Sequence, residues 1–181
     1  MQVVHHRGEE GLRLHHTDLR GDGRGVHRQA LQHLLAADQV ITDDETLTRA
    51  SVDNFRKLQN IFDVHTMRKP VAVVMAASTD DVAKVLAFAD ANGVNVVART
   101  GGTATEGGLE SGMDPSIVLD GSRMDTIVEI DPYDMQATVQ CGVALQRLED
   151  EVRKLGLTTG HSPQSKPIAS MGGLVATRSI G

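Results

Sequence analysis

The chain has few of the residue types that allow covalent cross-linking or aromatic stacking. Its 181 residues include one cysteine, one tyrosine, three phenylalanines and no tryptophan. A single cysteine, Cys141, excludes an internal disulfide framework and a metal site built from several cysteines. The scarcity of aromatic rings argues against a stacking platform for single-stranded nucleic acid. With 40% hydrophobic residues, the chain has the composition of a globular protein. Cys141 stands in an apparent strand, where it is either a small buried core residue or a reactive thiol.

The sequence also lacks excess positive charge and long apolar runs. Its formal net charge of -6 offers no general attraction to a nucleic-acid backbone, so local donors would have to bind any anion. No apolar run reaches the length of about 18 residues that a membrane span needs, and the amino terminus lacks the apolar segment of a signal peptide. We therefore expect a soluble, cytoplasmic protein without a membrane span and without a nucleic-acid partner.

The first 35 residues differ from the rest of the chain. They contain the doublets His5-His6 and His15-His16 among arginines and glycines, with little apolar periodicity. Three interpretations stay open for the doublets, namely a metal site, a solvated arm and an artefact of start-site choice. No carboxylate or cysteine stands in a set register with them, so no metal site is assigned. Residues 1–35 are predicted to be a poorly ordered or atypical amino-terminal arm.

Residues 36–69 are predicted to be a helical lead-in. A helical stripe begins at Arg28 and extends to Ala37, so it crosses into this segment. Residues 40–42 are a candidate short strand, and the acidic residues 43–45 are expected to form a turn. A second, weaker helical pattern includes Phe55, Leu58, Ile61 and Phe62.

A strand, a helix and a second strand open the remainder of the chain. Residues 71–75 form an apolar run rich in valine, and Ser78 with Asp81 three residues later is typical of a helix start. Gly93 marks the helix end, and residues 94–98 form the next apolar run. This order predicts a βαβ unit with parallel strands and a right-handed crossover.

Three further strand candidates and one helix follow. The strands are expected at residues 117–119, 127–130 and 135–141, with polar residues alternating along the last. Residues 131–134 between the last two strands have proline in the second position of a plausible turn. The helix begins after Gly142, ends at Gly156 and places on one face Leu145, Leu148, Val152 and Leu155.

Two glycine-rich polar segments, residues 99–108 and 160–181, are the candidate functional regions. The first leaves the carboxyl end of a predicted strand, where open α/β sheets bind ligands. It lacks the Lys-Ser/Thr pair of a phosphate loop of the Walker type and the spacing of the GxGxxG fingerprint. Alone, it is equally compatible with a phosphate-binding loop and with an ordinary turn. Together, two such segments suit a long ligand with a pyrophosphate.

Residues 70–181 resemble the FAD-binding domain of the vanillyl-alcohol-oxidase family, which has the PCMH-type fold. The resemblance lies in an ordered set of motifs, at residues 71–74, 78–82, 99–103, 117–120, 160–165 and 171–181. It implies an α+β fold, a βαβ subdomain followed by a second mixed sheet with flanking helices. It also implies that residues 70–181 are the first part of a domain that is truncated here. The tail is most similar to alkyldihydroxyacetonephosphate synthase, then to glycolate-oxidase and D-lactate-dehydrogenase flavoproteins.

The resemblance implies FAD contacts in three segments and identifies no catalytic residue. Main-chain N–H groups of Gly101 and Gly102 would face the pyrophosphate, and Arg178 would either meet the cofactor or pair with a surface carboxylate. The implied contacts are Ala98, Arg99, Thr100, Gly101, Gly102, Thr103, Ala104, Gln164, Ser165, Lys166, Pro167, Ile168, Ala169, Ser170, Thr177, Arg178, Ser179 and Ile180.

The residue after the first glycine pair bears on how FAD would be held. Members that attach FAD covalently often carry histidine there, whereas this chain has Thr103. The resemblance therefore implies non-covalent FAD. His161 is either a substitute anchor or a plain hydrogen-bonding residue, and Cys141 stands in the wrong context for a cysteinyl linkage.

Three functions follow from the resemblance. The first is an FAD-linked oxidoreductase acting on a small hydroxy-acid-type substrate, in which the flavin accepts a hydride. The second is a transferase like alkyldihydroxyacetonephosphate synthase, which uses FAD without net redox change. The third is a non-catalytic, truncated FAD-binding module.

Overall fold

The computed structural model describes residues 23–54, 56, 62 and 67–180. Its helices are α1 (Gly23–Leu34), α2 (Asp44–Ala50), α3 (Thr79–Asn92), α4 (Leu145–Arg153) and α5 (Met171–Ala176). Its strands are β1 (Val40–Ile41), β2 (Val73–Met75), β3 (Asn95–Arg99), β4 (Ser116–Asp120), β5 (Ile127–Asp131) and β6 (Gln136–Val139). The two histidine doublets, and Phe55, Leu58 and Ile61 of the weak helical pattern, lie outside the described residues.

A four-stranded mixed sheet forms the centre of the fold. Its strand order is β1-β2-β4-β3, in which β1 is antiparallel to β2 and the other neighbours are parallel. The predicted βαβ unit is present as β2-α3-β3, but its two strands are not adjacent, because β4 lies between them. The described part of the second sheet is the antiparallel pair β5-β6. The order of elements agrees with the predicted α+β class.

Aliphatic side chains cover both faces of the mixed sheet. In β4, Ile117 and Leu119 face the main core, whereas Val118 faces a smaller cluster with Leu47 of α2. This alternation is the period of two that a strand imposes on its side chains. Phe88 of α3 packs into the main core, so α3 covers the face opposite α2.

Helix α1 begins at Gly23 rather than at Arg28, so the predicted start of this helix is wrong. Leu31 is fully buried in the main core. Along the first turns, polar residues contact the rest of the molecule: the Arg28 Nε donates to the Val71 carbonyl at 2.8 Å, and Arg24 pairs with Asp114 at 3.0 Å. Arginine and histidine occupy the inner face of these first turns, so the apolar periodicity of the sequence does not extend to them.

The acidic residues 43–45 start a helix instead of forming an isolated turn. The Asp43 carboxylate accepts a hydrogen bond from the Thr46 N–H at 2.9 Å, which satisfies one of the free donors at the start of α2. The predicted start of α3 is confirmed, since the Ser78 hydroxyl accepts from the Asp81 N–H at 3.1 Å. Gly93 ends α3 with a φ of 63°, a conformation that glycine adopts without strain.

His27 is a buried titratable group in the main core. Its ring lies edge-on to Phe88 with centroids 6.1 Å apart, and burial lowers its pKa, an effect that Asp114 partly offsets.

Because the folded pKa is below the ordinary value, His27 favours folding above pH 6.5, and its contribution declines as the pH falls below that value. We expect the free energy of unfolding to fall as the pH is lowered below 6.5, and to fall less in His27→Gln. Denaturant titrations between pH 5 and 8 test this expectation, and equal slopes in both proteins would refute it.

Strands β5 and β6 pack against α4 to form the third hydrophobic cluster. Leu148 and Val152 of α4 and Val143 just before it are buried there, with Ile127 and Val139 against them. Leu155, predicted on the same face, lies beyond the helix end and is 49% exposed. The predicted turn at residues 131–134 is present: the Asp131 carboxylate accepts from the Tyr133 and Asp134 N–H groups.

The described residues contain neither a membrane-spanning helix nor a group of side chains suited to a metal ion. None of the helices in the part of the chain that the structure describes is long and apolar enough to cross a membrane. Among the same residues, no group of three or more histidine, cysteine, aspartate or glutamate side chains could hold a metal ion.

Candidate functional site

A cavity of about 880 Å³ lies at the carboxyl edge of the parallel strands. Residues 98–106 along the end of β3 and the following loop form one wall, and residues of α5 and the segments beside it form the other. Its size is near the upper end of the range of about 300–1,000 Å³ for small-molecule sites. The position agrees with the rule that open α/β sheets bind ligands beyond the carboxyl ends of their strands.

The two walls meet at a small set of hydrogen bonds. The Gly101 N–H donates to the Ser170 hydroxyl at 3.0 Å, and the Thr100 and Ser170 hydroxyls also hydrogen-bond to each other. A Cβ at Gly101 would lie 2.4 Å from the Ile168 carbonyl oxygen and 2.8 Å from the Ser170 nitrogen. Only glycine therefore allows the backbones to approach this closely. The two glycine-rich segments singled out in the sequence are thus in direct contact.

Arg99 places a positive charge on the cavity wall. Its Nη1 atom is buried and has no hydrogen-bond partner among the described residues. The guanidinium lies against Gly102, whose φ of 66° needs glycine and where a Cβ would come within 3.0 Å of the Arg99 Nη2. A buried cationic donor without an acceptor is costly, and an anionic group in the cavity would satisfy it. The chemistry of this wall therefore fits a phosphate.

The structure brings together most of the predicted contacts, but not all of them. The cavity is lined by Ala98, Arg99, Thr100, Gly101, Gly102, Thr103, Ala104, Ser165, Ser170, Thr177 and Ser179. A smaller, open pocket of about 420 Å³ adjoins it and is lined by Gln164 and Ile168 together with Asn54, Thr103, Thr105 and Ser165. The remaining predicted contacts, Lys166, Pro167, Ala169, Arg178 and Ile180, line neither space.

Several lining residues were not predicted. Thr79 and Val82 from the first turn of α3 reach the cavity, as do Gly121 and Met124 after β4. These residues could be identified only from the topology of the sheet. Helix α3 starts where β2 ends, which is at the same edge of the sheet as the loop after β3. Strand order is a long-range property, so local periodicity does not predict that these residues reach the cavity.

Cys141 lies on the cavity wall rather than wholly inside the core. It is half-buried, and glycines adjoin it on two sides: a Cβ at Gly121 would lie 2.9 Å from its Sγ, and one at Gly172 would lie 2.6 Å from its Cβ. The Gly172 N–H donates to the Cys141 carbonyl at 2.9 Å. These contacts show why glycine stands at both positions. His161, the other residue considered for cofactor attachment, does not line the cavity.

A buried carboxylate, Glu149, holds the loop that leads into the second wall. Its side chain is 1% exposed and accepts hydrogen bonds from the Thr159 hydroxyl at 2.6 Å and N–H at 2.9 Å, and from the Thr158 hydroxyl at 2.8 Å. These bonds, those from Thr159 first, lower the pKa of Glu149 to about 2. Lys166, a predicted FAD contact, instead places its Nζ 3.7 Å from this carboxylate.

Residues 70–181 match the FAD binding domain family, and the chain therefore belongs to that family. The chain is 55% identical over 151 residues to the uncharacterized FAD-linked oxidoreductase YgcU of Escherichia coli K12, covering 83% of this chain and 31% of that protein. It is 30% identical over 156 residues to alkyldihydroxyacetonephosphate synthase of Trypanosoma brucei brucei, covering 83% of this chain and 25% of that protein. The chain thus spans less than a third of the length of these relatives.

Solved structures confirm the fold. An alkyldihydroxyacetonephosphate synthase superposes with a TM-score of 0.78 at 24% identity, over 87% of this chain and 30% of that chain. A p-cresol methylhydroxylase superposes with a TM-score of 0.74 at 20% identity, over 91% of this chain and 31% of that chain. The predicted PCMH-type FAD-binding fold is therefore confirmed, and the match to the FAD binding domain confirms FAD as the cofactor.

Proposed function

We propose that this chain binds FAD without a covalent bond, with the pyrophosphate at Arg99 and the loop that follows β3. The observation that carries the proposal is Arg99, a residue that lines the cavity and whose buried Nη1 has no acceptor among the described residues. A pyrophosphate supplies the oxygens that this donor lacks. The hydroxyls of Thr103, Ser165 and Thr177 line the same cavity and would bond to the polar parts of the cofactor.

The proposed contacts differ in strength of support. Ala98 to Ala104, Ser165, Ser170, Thr177 and Ser179 line the cavity, which supports direct contacts with the cofactor. Gln164 and Ile168 would reach only a part of the cofactor that enters the adjoining pocket. Thr103 lines both the cavity and the adjoining pocket. Its hydroxyl does not form the covalent bond to FAD that a histidine at this position forms, which supports dissociable FAD. The division into arm, lead-in and domain, and the cytoplasmic location, also stay proposals.

For the activity, we propose an FAD-linked oxidoreductase that acts on a small hydroxy-acid-type substrate. Bound FAD would supply a hydride acceptor. The residues of this chain would bind and orient the cofactor and exclude water from the loop at Arg99. Support comes from a 33% identical stretch of 119 residues shared with glycolate oxidase subunit GlcD of Bacillus subtilis, which covers 62% of this chain and 24% of that protein.

The similarity to alkyldihydroxyacetonephosphate synthase supports a second candidate, alkyl transfer with no net redox change. An FAD-binding module without activity of its own is the third candidate. Anaerobic addition of D-lactate or glycolate to the FAD-loaded chain separates them. Loss of the visible flavin band favours the oxidoreductase. A persistent band favours transfer if an acyl-glycerone phosphate and an alcohol give the alkyl-glycerone phosphate and release the carboxylic acid, and favours the module if they do not.

FAD binding itself is tested by mixing the full chain with FAD, desalting it and recording the absorbance spectrum. We expect a flavin spectrum and a rise in melting temperature with excess FAD, because a ligand at 100 times its dissociation constant stabilises by about 2.7 kcal/mol. Acid precipitation should release the flavin into the supernatant. Flavin that stays with the precipitate would refute non-covalent binding, and a colourless, unstabilised chain would refute the proposed function.

Replacing Arg99 by alanine is expected to weaken FAD binding about tenfold to a hundredfold, since a charged hydrogen bond contributes about 1.5–3 kcal/mol. Arg49→Ala is the matched control, because Arg49 is an exposed arginine on α2 paired only with a neighbouring glutamate in the contacts described. Fluorescence titration with FAD measures both dissociation constants. Equal constants in the two variants would show that Arg99 does not bind the pyrophosphate.

A further inference from the structure

The segment that follows α2 is hydrogen-bonded to the glycine-rich loop after β3. The Asn54 N–H donates to the Ala104 carbonyl at 3.1 Å, and the Asn54 Nδ2 donates to the Gly102 carbonyl at 3.2 Å. Next to it, Asp53 is 2% exposed, and its carboxylate accepts a hydrogen bond from the Gly107 N–H. Three successive points of the loop are thus attached to two adjacent residues.

These attachments determine which way the peptide groups of the loop face. In a trans peptide the C=O and the next N–H point in opposite directions, and the cis bond recorded in the described residues is elsewhere, before Pro115. The Gly102 and Ala104 carbonyls turn toward Asn54, so the N–H groups of Thr103 and Thr105 turn away from it.

We infer that Asn54 is a positioning residue for the cofactor site. By drawing two carbonyl oxygens of the loop to itself, it removes two acceptors from the side where a phosphate would bind and leaves two N–H donors there. Backbone N–H groups that point to the same side of a loop can bind an anion together. The inference rests on the proposed function, because it takes FAD as the bound anion. Asn54 itself lies outside the FAD-binding domain match, which begins at residue 70.

The test compares Asn54→Ala with Asn95→Ala in the full chain. Asn95 is the matched control: its Nδ2 also donates to a backbone carbonyl, that of Pro115, over 3.2 Å, but it stands at the start of β3, away from the cavity. Asn54→Ala is expected to raise the FAD dissociation constant about threefold to tenfold, as for the loss of one hydrogen bond. Asn95→Ala is expected to change it less than about twofold.

Phosphorus NMR of FAD bound at saturation separates positioning from general stability. We expect the pyrophosphate resonances to shift in Asn54→Ala and to stay in place in Asn95→Ala, whatever happens to the two melting temperatures. Unchanged resonances and an unchanged dissociation constant in Asn54→Ala would overturn the inference while leaving the proposed function intact. If the unsubstituted chain takes up no FAD, the proposed function fails, and this inference fails with it.

Discussion

Gly101→Ala is expected to reduce FAD affinity about fivefold to more than a hundredfold, in line with a cost of about 1–3 kcal/mol for overpacking. The new Cβ would lie 2.4 Å from the Ile168 carbonyl oxygen and 2.8 Å from the Ser170 nitrogen, both backbone atoms that cannot rotate away. The two walls of the cavity would therefore have to separate. The hydrogen bond from the Gly101 N–H to the Ser170 hydroxyl would lengthen at the same time. Fluorescence titration with FAD measures the effect.

Gly25→Ala is the control for this substitution. Gly25 lies in α1, and a Cβ there would meet nothing within 4 Å. The control should bind FAD like the unsubstituted chain, because it adds the same methyl group far from the cavity. If Gly101→Ala bound FAD as tightly as the control, the close approach of the two glycine-rich segments would have no part in cofactor binding.

The second large effect is expected from Glu149→Gln. The carboxylate accepts three hydrogen bonds from Thr158 and Thr159 and pairs with Arg153 at 2.7 Å. An amide of the same size has one acceptor oxygen and adds an NH₂ group that faces donors, so it leaves several of these groups without partners. We expect a fall in melting temperature of several degrees at neutral pH. We also expect weaker FAD binding, because the loop that leads to Ser165 and Ser170 loses its anchor.

The pH dependence gives this prediction a second readout. The folded pKa of Glu149 is about 2, below its ordinary value of 4.5. Its contribution to stability is therefore complete above pH 4.5 and is lost as the pH falls from about 4.5 toward 2. Glu149→Gln should lose less stability than the unsubstituted chain across this window.

Glu151→Gln is the matched control, because Glu151 lies on the same helix but is 42% exposed and pairs only with Lys154 in the contacts described. Denaturant unfolding of the three proteins at several pH values is the measurement. If Glu149→Gln and Glu151→Gln behaved alike, the hydrogen bonds to Thr158 and Thr159 would not stabilise the loop.

Local patterns in the sequence were sufficient for most of the fold. Valine-rich runs predicted β2 and β3, and the Ser78 cap and Gly93 predicted both ends of α3, because strand and cap preferences depend on neighbouring residues. The start of α1 was predicted wrongly, since arginine and histidine occupy its inner face. The insertion of β4 between β2 and β3 was also not foreseen, because strand order is a long-range property.

By itself, the sequence determined the class of protein and the two segments that carry the site. Glycine pairs and hydroxyl residues in a set order are chemical requirements of a backbone that approaches a phosphate, so they are visible in the chain. Only the tertiary structure decided that Gly101 meets Ser170 across 69 residues, that Glu149 is buried and that Asn54 directs the loop. The contacts of Gly101 and Asn54 join residues far apart in sequence, and the energy of the Glu149 hydrogen bonds depends on burial, which no local pattern records.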